Sequence, residues 1–145
     1  MNERLKKLYQ SVILKHHKEP VHFEKNENAT YVLEAYNPLC GDKYQLFFEV
    51  ESGKVTAISF YGFGCAISKA SASVLVKKLE GLPVEEALAL CKGFLEMLQS
   101  EEEHPLAKDE ELDAFTAARA FPARMKCATL SWEEMEKFLA GVEGM

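Results

Sequence analysis

The sequence predicts an α+β fold: a small, mostly antiparallel sheet of about three strands with helices packed on one face. Three short runs rich in β-branched and aromatic residues lie close together, at Tyr31–Tyr36, Tyr44–Val50 and Val55–Phe63. The second and third are separated only by Glu51-Ser52-Gly53-Lys54, which reads as a tight hairpin turn. Apolar residues at helical spacing occupy the N-terminus and much of the second half. A chain of 145 residues can build a core without staples, so residues 1–145 are expected to form a single domain.

Leu5, Leu8, Tyr9, Val12 and Ile13 recur at the spacing of one helix face, and this first helix should stop before Pro20. His16 and His17 at its end are expected to be solvated, where a protonated imidazole suits the helix dipole. Phe23–Thr30 is polar and Asn-rich and reads as a loop, and Asn37-Pro38 ends the first strand. Ile67–Leu79 reads as a helix whose Ala70, Ser71, Ala72 and Ser73 permit close packing on the sheet, with Gly81 at its C-terminal cap. Pro83 opens a further helix with Val84, Ala87, Leu88, Cys91, Leu95 and Leu98 on one face, which makes Cys91 a core residue. Ser100–Glu111 is acidic, contains His104-Pro105 and reads as a solvated loop, followed by a short helix over Leu112–Arg119. The last helix turns Trp132, Met135, Phe138 and Leu139 inward, and Cys127 is expected near its N-terminus.

A net charge of −6 argues against nucleic acid or an acidic membrane surface as the main partner. No apolar run approaches the roughly 18 residues of a membrane span. The start, MNERLKKLYQ, lacks a signal-peptide core, so the expected compartment is the cytoplasm. In that reducing setting the four cysteines read as metal ligands or reactive thiols rather than as two disulfides.

The stretch Gly62–Ser73, GFGCAISKASAS, places Cys65 at a strand-to-helix turn that its flanking glycines leave open. Nearby backbone N–H groups and a helix dipole favour a thiolate there. Arg124, Lys126 and a helix start would do the same for Cys127. NPLCGD sets Cys40 and Asp42 two residues apart at the head of the hairpin. An antiparallel hairpin returns the chain to its starting end, so Cys40, Asp42 and Cys65 should meet at one rim of the sheet.

Three chemistries compete for this rim. A phosphate cradle is disfavoured, because the G-x-G-x-x-G continuation, a GK[ST] sequence and a parallel βαβ context are all missing. A cysteine nucleophile with a histidine base is disfavoured because His16, His17, His22 and His104 all lie in terminal or loop segments. A metal site fits better: Cys40, Asp42, Cys65 and Cys127 offer three thiolates and a carboxylate, a set suited to tetrahedral zinc or to iron in a cluster. The absence of close C-x-x-C pairs suggests an exposed, exchangeable site, and spacing alone leaves scattered structural cysteines open as an alternative.

The blocks NPLCGD (Asn37–Asp42), GFGCAISKASAS (Gly62–Ser73) and FPARMKCATLSW (Phe121–Trp132) resemble those of the U-type iron–sulfur cluster assembly proteins, from the N-terminal helix to Trp132. Lys126 stands where the IscU pattern has a histidine, FPARMK replaces the LPPVK segment, and the span from Cys65 to Cys127 is longer. These departures make the chain similar to the SufU branch. The resemblance implies a SufE/NifU-like fold and Zn2+ on Cys40, Asp42, Cys65 and Cys127. It also implies sulfur acceptance from a SufS-type cysteine desulfurase, with transfer to downstream iron–sulfur assembly proteins by a monomer or weak oligomer. In the implied mechanism a desulfurase histidine displaces Cys40 from the zinc. The freed thiolate of Cys40 then attacks the desulfurase persulfide, while Arg124 pairs with the released Asp42. Iron or a transient iron–sulfur cluster on the same ligands, with the chain as its scaffold, is the alternative.

Overall fold

The computed structural model describes residues 2–143, and the side chain of Glu143 is not included in that description. The first helix is α-helical over Glu3–Leu8 (α1), π-helical over Tyr9–Leu14 and α-helical again over Lys15–Lys18 (α2), ending before Pro20 as expected. Asn2 caps it, its side-chain oxygen accepting the Leu5 N–H at 2.8 Å. Strands β1 (Tyr31–Asn37), β2 (Asp42–Glu51) and β3 (Lys54–Phe63) form one antiparallel sheet in the order β1-β2-β3. Ser52 and Gly53 both take positive φ (51° and 75°) in the turn joining β2 to β3, the twist that matches a two-residue hairpin.

Register places Asn37 opposite Asp42, and Lys43 opposite Phe63. Alternation sends Asp42, Tyr44, Leu46 and Phe48 of β2 into the interior. On β3 the buried apolar set is Val55, Ile58 and Phe60, a spacing of three and then two. A bulge explains it: between the Phe47–Ser59 and Glu49–Thr56 pairs, Ala57 and Ile58 oppose Phe48 alone, and Ala57 takes φ 48°. The extra residue resets the phase, so both halves of the strand face the core. The outer edge of β3 is partly covered, because His22 and Glu24 exchange backbone hydrogen bonds with Phe60. The expected loop thus contributes one bridge at Phe23.

Helices α3 (Ala66–Leu79), α4 (Val84–Gln99) and α6 (Pro122–Glu143) build the rest of the core. Both α3 and α6 contact the sheet and each other, and α4 packs principally on α6. The small residues of α3 lie buried at these contacts. Trp132 stacks on Phe94 with ring centres 4.1 Å apart, and its indole N–H donates to Ser71. Cys91 is fully buried on the α4 stripe and burial pushes its thiol up to about 12, consistent with an inert core cysteine.

Three expectations need correction. His16 is not solvated: it is 6% exposed, with Nδ1 2.7 Å from Ser73 Oγ and Nε2 2.7 Å from Glu111 Oε2. The acidic segment is more ordered than a loop, with a 3₁₀ turn at Pro105–Lys108 held by His104, whose Nδ1 accepts the Leu106 N–H. The following helix begins earlier and changes type, running as α5 (Glu110–Asp113) and then as a 3₁₀ stretch, Ala114–Ala120. Lys77 and Lys78 of α3 pair with Glu111, which ties this segment to the body of the fold. No helix among the described residues is long and apolar enough to cross a membrane.

Candidate metal centre

Cys40, Asp42, Cys65 and Cys127 are delivered by three separate segments. Cys40 lies in the turn between β1 and β2, where the Gly41 N–H donates to the Asn37 carbonyl at 2.8 Å and Gly41 takes φ 76°. Asp42 is the first residue of β2 and is fully buried. Cys65 is the N-cap of α3, its Sγ accepting the Ser68 N–H at 3.4 Å. Cys127 lies within α6 and is 1% exposed.

The β2–β3 hairpin brings its two ends together: the backbone N–H of Cys65 donates to Asp42 Oδ1 at 2.9 Å. From the other side the Cys127 thiol donates to Asp42 Oδ2 at 3.2 Å. The ligand atoms of Cys40, Asp42 and Cys127 lie within 4.8 Å of one another. Cys65 stands outside that trio, its sulfur drawn to the end of its own helix, yet it approaches Cys127 closely enough to disfavour that thiol's ionisation.

Cys127 corrects a second part of the sequence reading. Its helix begins at Pro122, a proline in the first turn after Phe121, so Cys127 sits one turn further in than expected. The dipole has faded at that depth. Burial, the hydrogen bond to Asp42 and the neighbouring Cys65 push the thiol well above its ordinary value instead of lowering it. Arg124 makes no ion pair to Asp42 among the described residues, where the carboxylate is held by Cys65, Ser68 and Cys127; the expected pairing concerns a carboxylate released from a metal. Its guanidinium faces the thiols, and Cys127 first, then Cys65 and more weakly Cys40, raise its proton affinity.

The donor chemistry suits a soft or borderline cation. A fully buried carboxylate faces thiol groups, while the cation beside them, Arg124, is exposed at the rim. The Cys65 N–H, the Ser68 hydroxyl and the Cys127 thiol all donate to Asp42. A divalent ion would take the place of the thiol proton and neutralise the buried charge. Cys40, Asp42 and Cys127 could hold such an ion, while Cys65 Sγ accepts from the Ser68 N–H and lies outside that group. Lys126, where the IscU pattern has histidine, pairs instead with Glu133 and offers no ligand.

Two residues that the sequence reading passed over also belong here. Tyr44 Oη lies 3.0 Å from Ser68 Oγ, and Ser68 Oγ donates to Asp42 Oδ1 at 3.1 Å. Their signals were spacing alone: Tyr44 follows Asp42 by two on one face of a strand, and Ser68 follows the Cys65 cap by three.

The chain matches the family model described as NifU-like N terminal domain over residues 8–140. It is 38% identical to the zinc-dependent sulfurtransferase SufU of Bacillus subtilis, covering 99% of this chain and 97% of that relative. It is 35% identical to the iron–sulfur cluster assembly scaffold protein IscU of Streptococcus pyogenes, covering 92% and 84%. Among solved structures, the SUF-system protein FiSufU of Fervidobacterium islandicum AW-1 superposes with a TM-score of 0.81 at 32% identity, covering 90% of this chain and 95% of that one. The NifU-like N-terminal protein of Brucella abortus shares the fold at 20% identity, with a TM-score of 0.82 over 98% and 99%. Three cysteine-bearing motifs in order, an antiparallel three-stranded sheet backed by helices, and these full-length matches have one meaning: the chain belongs to the family of NifU-like N-terminal domains, on its SufU/IscU side.

Proposed function

We propose that this chain is an iron–sulfur cluster assembly protein that accepts sulfur from a SufS-type cysteine desulfurase at Cys40 and passes it to downstream assembly proteins. The observation that carries the reading is an asymmetry within one cluster: Cys40 is exposed while Asp42 and Cys127 beside it are buried. The Cys40 sulfur is open to a partner's persulfide, Cys65 is half-buried, and Cys127 is shielded from one. The zinc-dependent sulfurtransferase named among its relatives supports the choice of metal and chemistry. Zinc on Cys40, Asp42, Cys65 and Cys127 would keep their sulfurs deprotonated near neutral pH.

The transfer is a thiol–persulfide exchange. Cys40 thiolate attacks the outer sulfur of the desulfurase persulfide, a new S–S bond forms on Cys40, and the old one breaks. The desulfurase cysteine leaves as a thiolate, with no net oxidation or reduction. Arg124, exposed beside the thiols, stabilises the anionic sulfur while it is free. Four free cysteines and this thiolate chemistry support a reducing, cytoplasmic setting for the proposed transfer.

The test is Cys40→Ala, with circular dichroism to establish an intact fold and desulfurase turnover as the readout. Loss of stimulation is expected, and retained stimulation overturns the proposal. A second reading, a scaffold for a transient cluster on the same ligands, is favoured by the IscU relatives at 35% and 32% identity. Anaerobic reconstitution followed by transfer of an intact cluster to an apo-protein would select it.

A further inference from the structure

We infer that Tyr44 and Ser68 are positioning residues that tie down one oxygen of Asp42, so that this carboxylate meets a metal through Oδ2 alone. The inference rests on the metal reading of the site and adds how its one oxygen ligand is held.

The proton order can be read from the partners. Among the described residues the buried Tyr44 phenol has Ser68 Oγ as its hydrogen-bond partner, at 3.0 Å. A phenol carries its proton at neutral pH, so it donates to Ser68 Oγ. Ser68 Oγ, having accepted that proton, has one of its own to give. Two acceptors lie at 3.1 Å, the Cys65 carbonyl and Asp42 Oδ1. The carbonyl already receives the Lys69 N–H at 3.1 Å, whereas the carboxylate carries the charge. The stronger acceptor takes the hydroxyl. Asp42 Oδ1 therefore receives two donors, Ser68 O–H and Cys65 N–H, and Oδ2 remains turned to Cys127.

Gly64 supplies a separate observation. A Cβ on this residue would come within 2.4 Å of Asp42 Oδ1, 2.4 Å of Ser68 Oγ and 2.7 Å of Tyr44 Oη. The turn is closed down onto the three relay atoms, and only a residue without a side chain leaves them in contact. The consequence for the centre is a one-armed carboxylate. With Oδ1 engaged, Asp42 offers the ion Oδ2 alone, and the two hydrogen bonds fix the carboxylate's orientation in advance of binding.

The test is a zinc-affinity cycle, read by competition with a chromophoric chelator, on wild type, Ser68→Ala, Tyr44→Phe, Asp42→Ala and the Asp42→Ala/Ser68→Ala double variant. Ser68→Ala should weaken zinc binding by roughly 10- to 100-fold, and Tyr44→Phe by a smaller factor in the same direction. In the Asp42→Ala background, Ser68→Ala should change affinity by less than about twofold, because it acts through a group no longer present. Unchanged affinity in Ser68→Ala, or an equal loss with and without Asp42, overturns the positioning role. Should Ser68→Ala fail to fold, Tyr44→Phe with and without Asp42→Ala completes the same cycle. A wild-type chain that binds no zinc overturns the metal reading together with this one. A chain that binds zinc but fails to stimulate a desulfurase overturns only the proposed sulfur transfer.

Discussion

Replacing Gly64 by alanine isolates the tightest packing at the centre. The added methyl group would lie 2.4 Å from Asp42 Oδ1 and Ser68 Oγ and 2.7 Å from Tyr44 Oη, all far inside contact distance. None of the three can step aside freely, since Asp42, Ser68 and Tyr44 are buried and bonded to one another. Overpacking of this kind costs about 1–3 kcal/mol. Loosening a buried hydrogen bond adds about 1 kcal/mol, for a total of about 2–4 kcal/mol. In a chain of this size that lowers Tm by roughly 5–15 °C. The assay is thermal and urea unfolding of the metal-free protein, followed by the fluorescence of Trp132, the single and fully buried tryptophan. Gly53→Ala is the control: its φ of 75° is unfavourable for alanine, but no atom lies within 4 Å of the new Cβ, so the loss should stay near about 1 kcal/mol. A Gly64→Ala protein as stable as the Gly53→Ala protein would refute the reasoning.

Two further outcomes are expected. Burial alone would push the Glu111 carboxyl up, but hydrogen bonds from Lys77, His16 and Lys78 outweigh it and hold it down to about 2, below the ordinary 4.5. Its contribution is therefore full above pH 4.5 and lost as pH falls through about 2. Wild type should exceed Glu111→Gln by about 1 kcal/mol at neutral pH, a figure reduced for solvent screening, and urea midpoints of the two should converge near the folded value. Chelation of bound zinc should lower Tm by mass action while far-ultraviolet circular dichroism and a cooperative transition persist, because the centre sits at the rim of a core built by α3, α4 and α6. A chain that unfolds on chelation would contradict that placement.

What the sequence discloses depends on the range of the interaction involved. The hairpin is local: Ser52-Gly53 fixes the turn, the turn fixes the register, and the register carries Asp42 to Cys65. The inward stripes of α4 and α6 are also local, since each helix reports its own buried face. His16 is the opposite case. Its surroundings are set by Ser73 and Glu111, 57 and 95 residues away, and nothing near His16 distinguishes a solvated helix end from a buried one. The bulge at Ala57 lies between these extremes, because the uneven spacing of Val55, Ile58 and Phe60 already signals a change of phase.

Cys127 and Asp42 show why the centre was legible in its membership and not in its electrostatics. Residue types and motif order name the candidate ligands. The state of each depends on depth, which the helix boundary and the packing decide. Pro122 sets that boundary, and beginning α6 there moves Cys127 from the positive end of a dipole into the interior. The same inward shift brings its thiol onto Asp42 Oδ2 and leaves Arg124, three residues earlier, exposed at the rim. A thiol activated at the surface and a thiol protonated in the interior call for different partners. The first would react by itself; the second needs a cation to take the place of its proton. Depth thus separates buried Cys127 from exposed Cys40, which supports the proposed division between a holding sulfur and a reacting one.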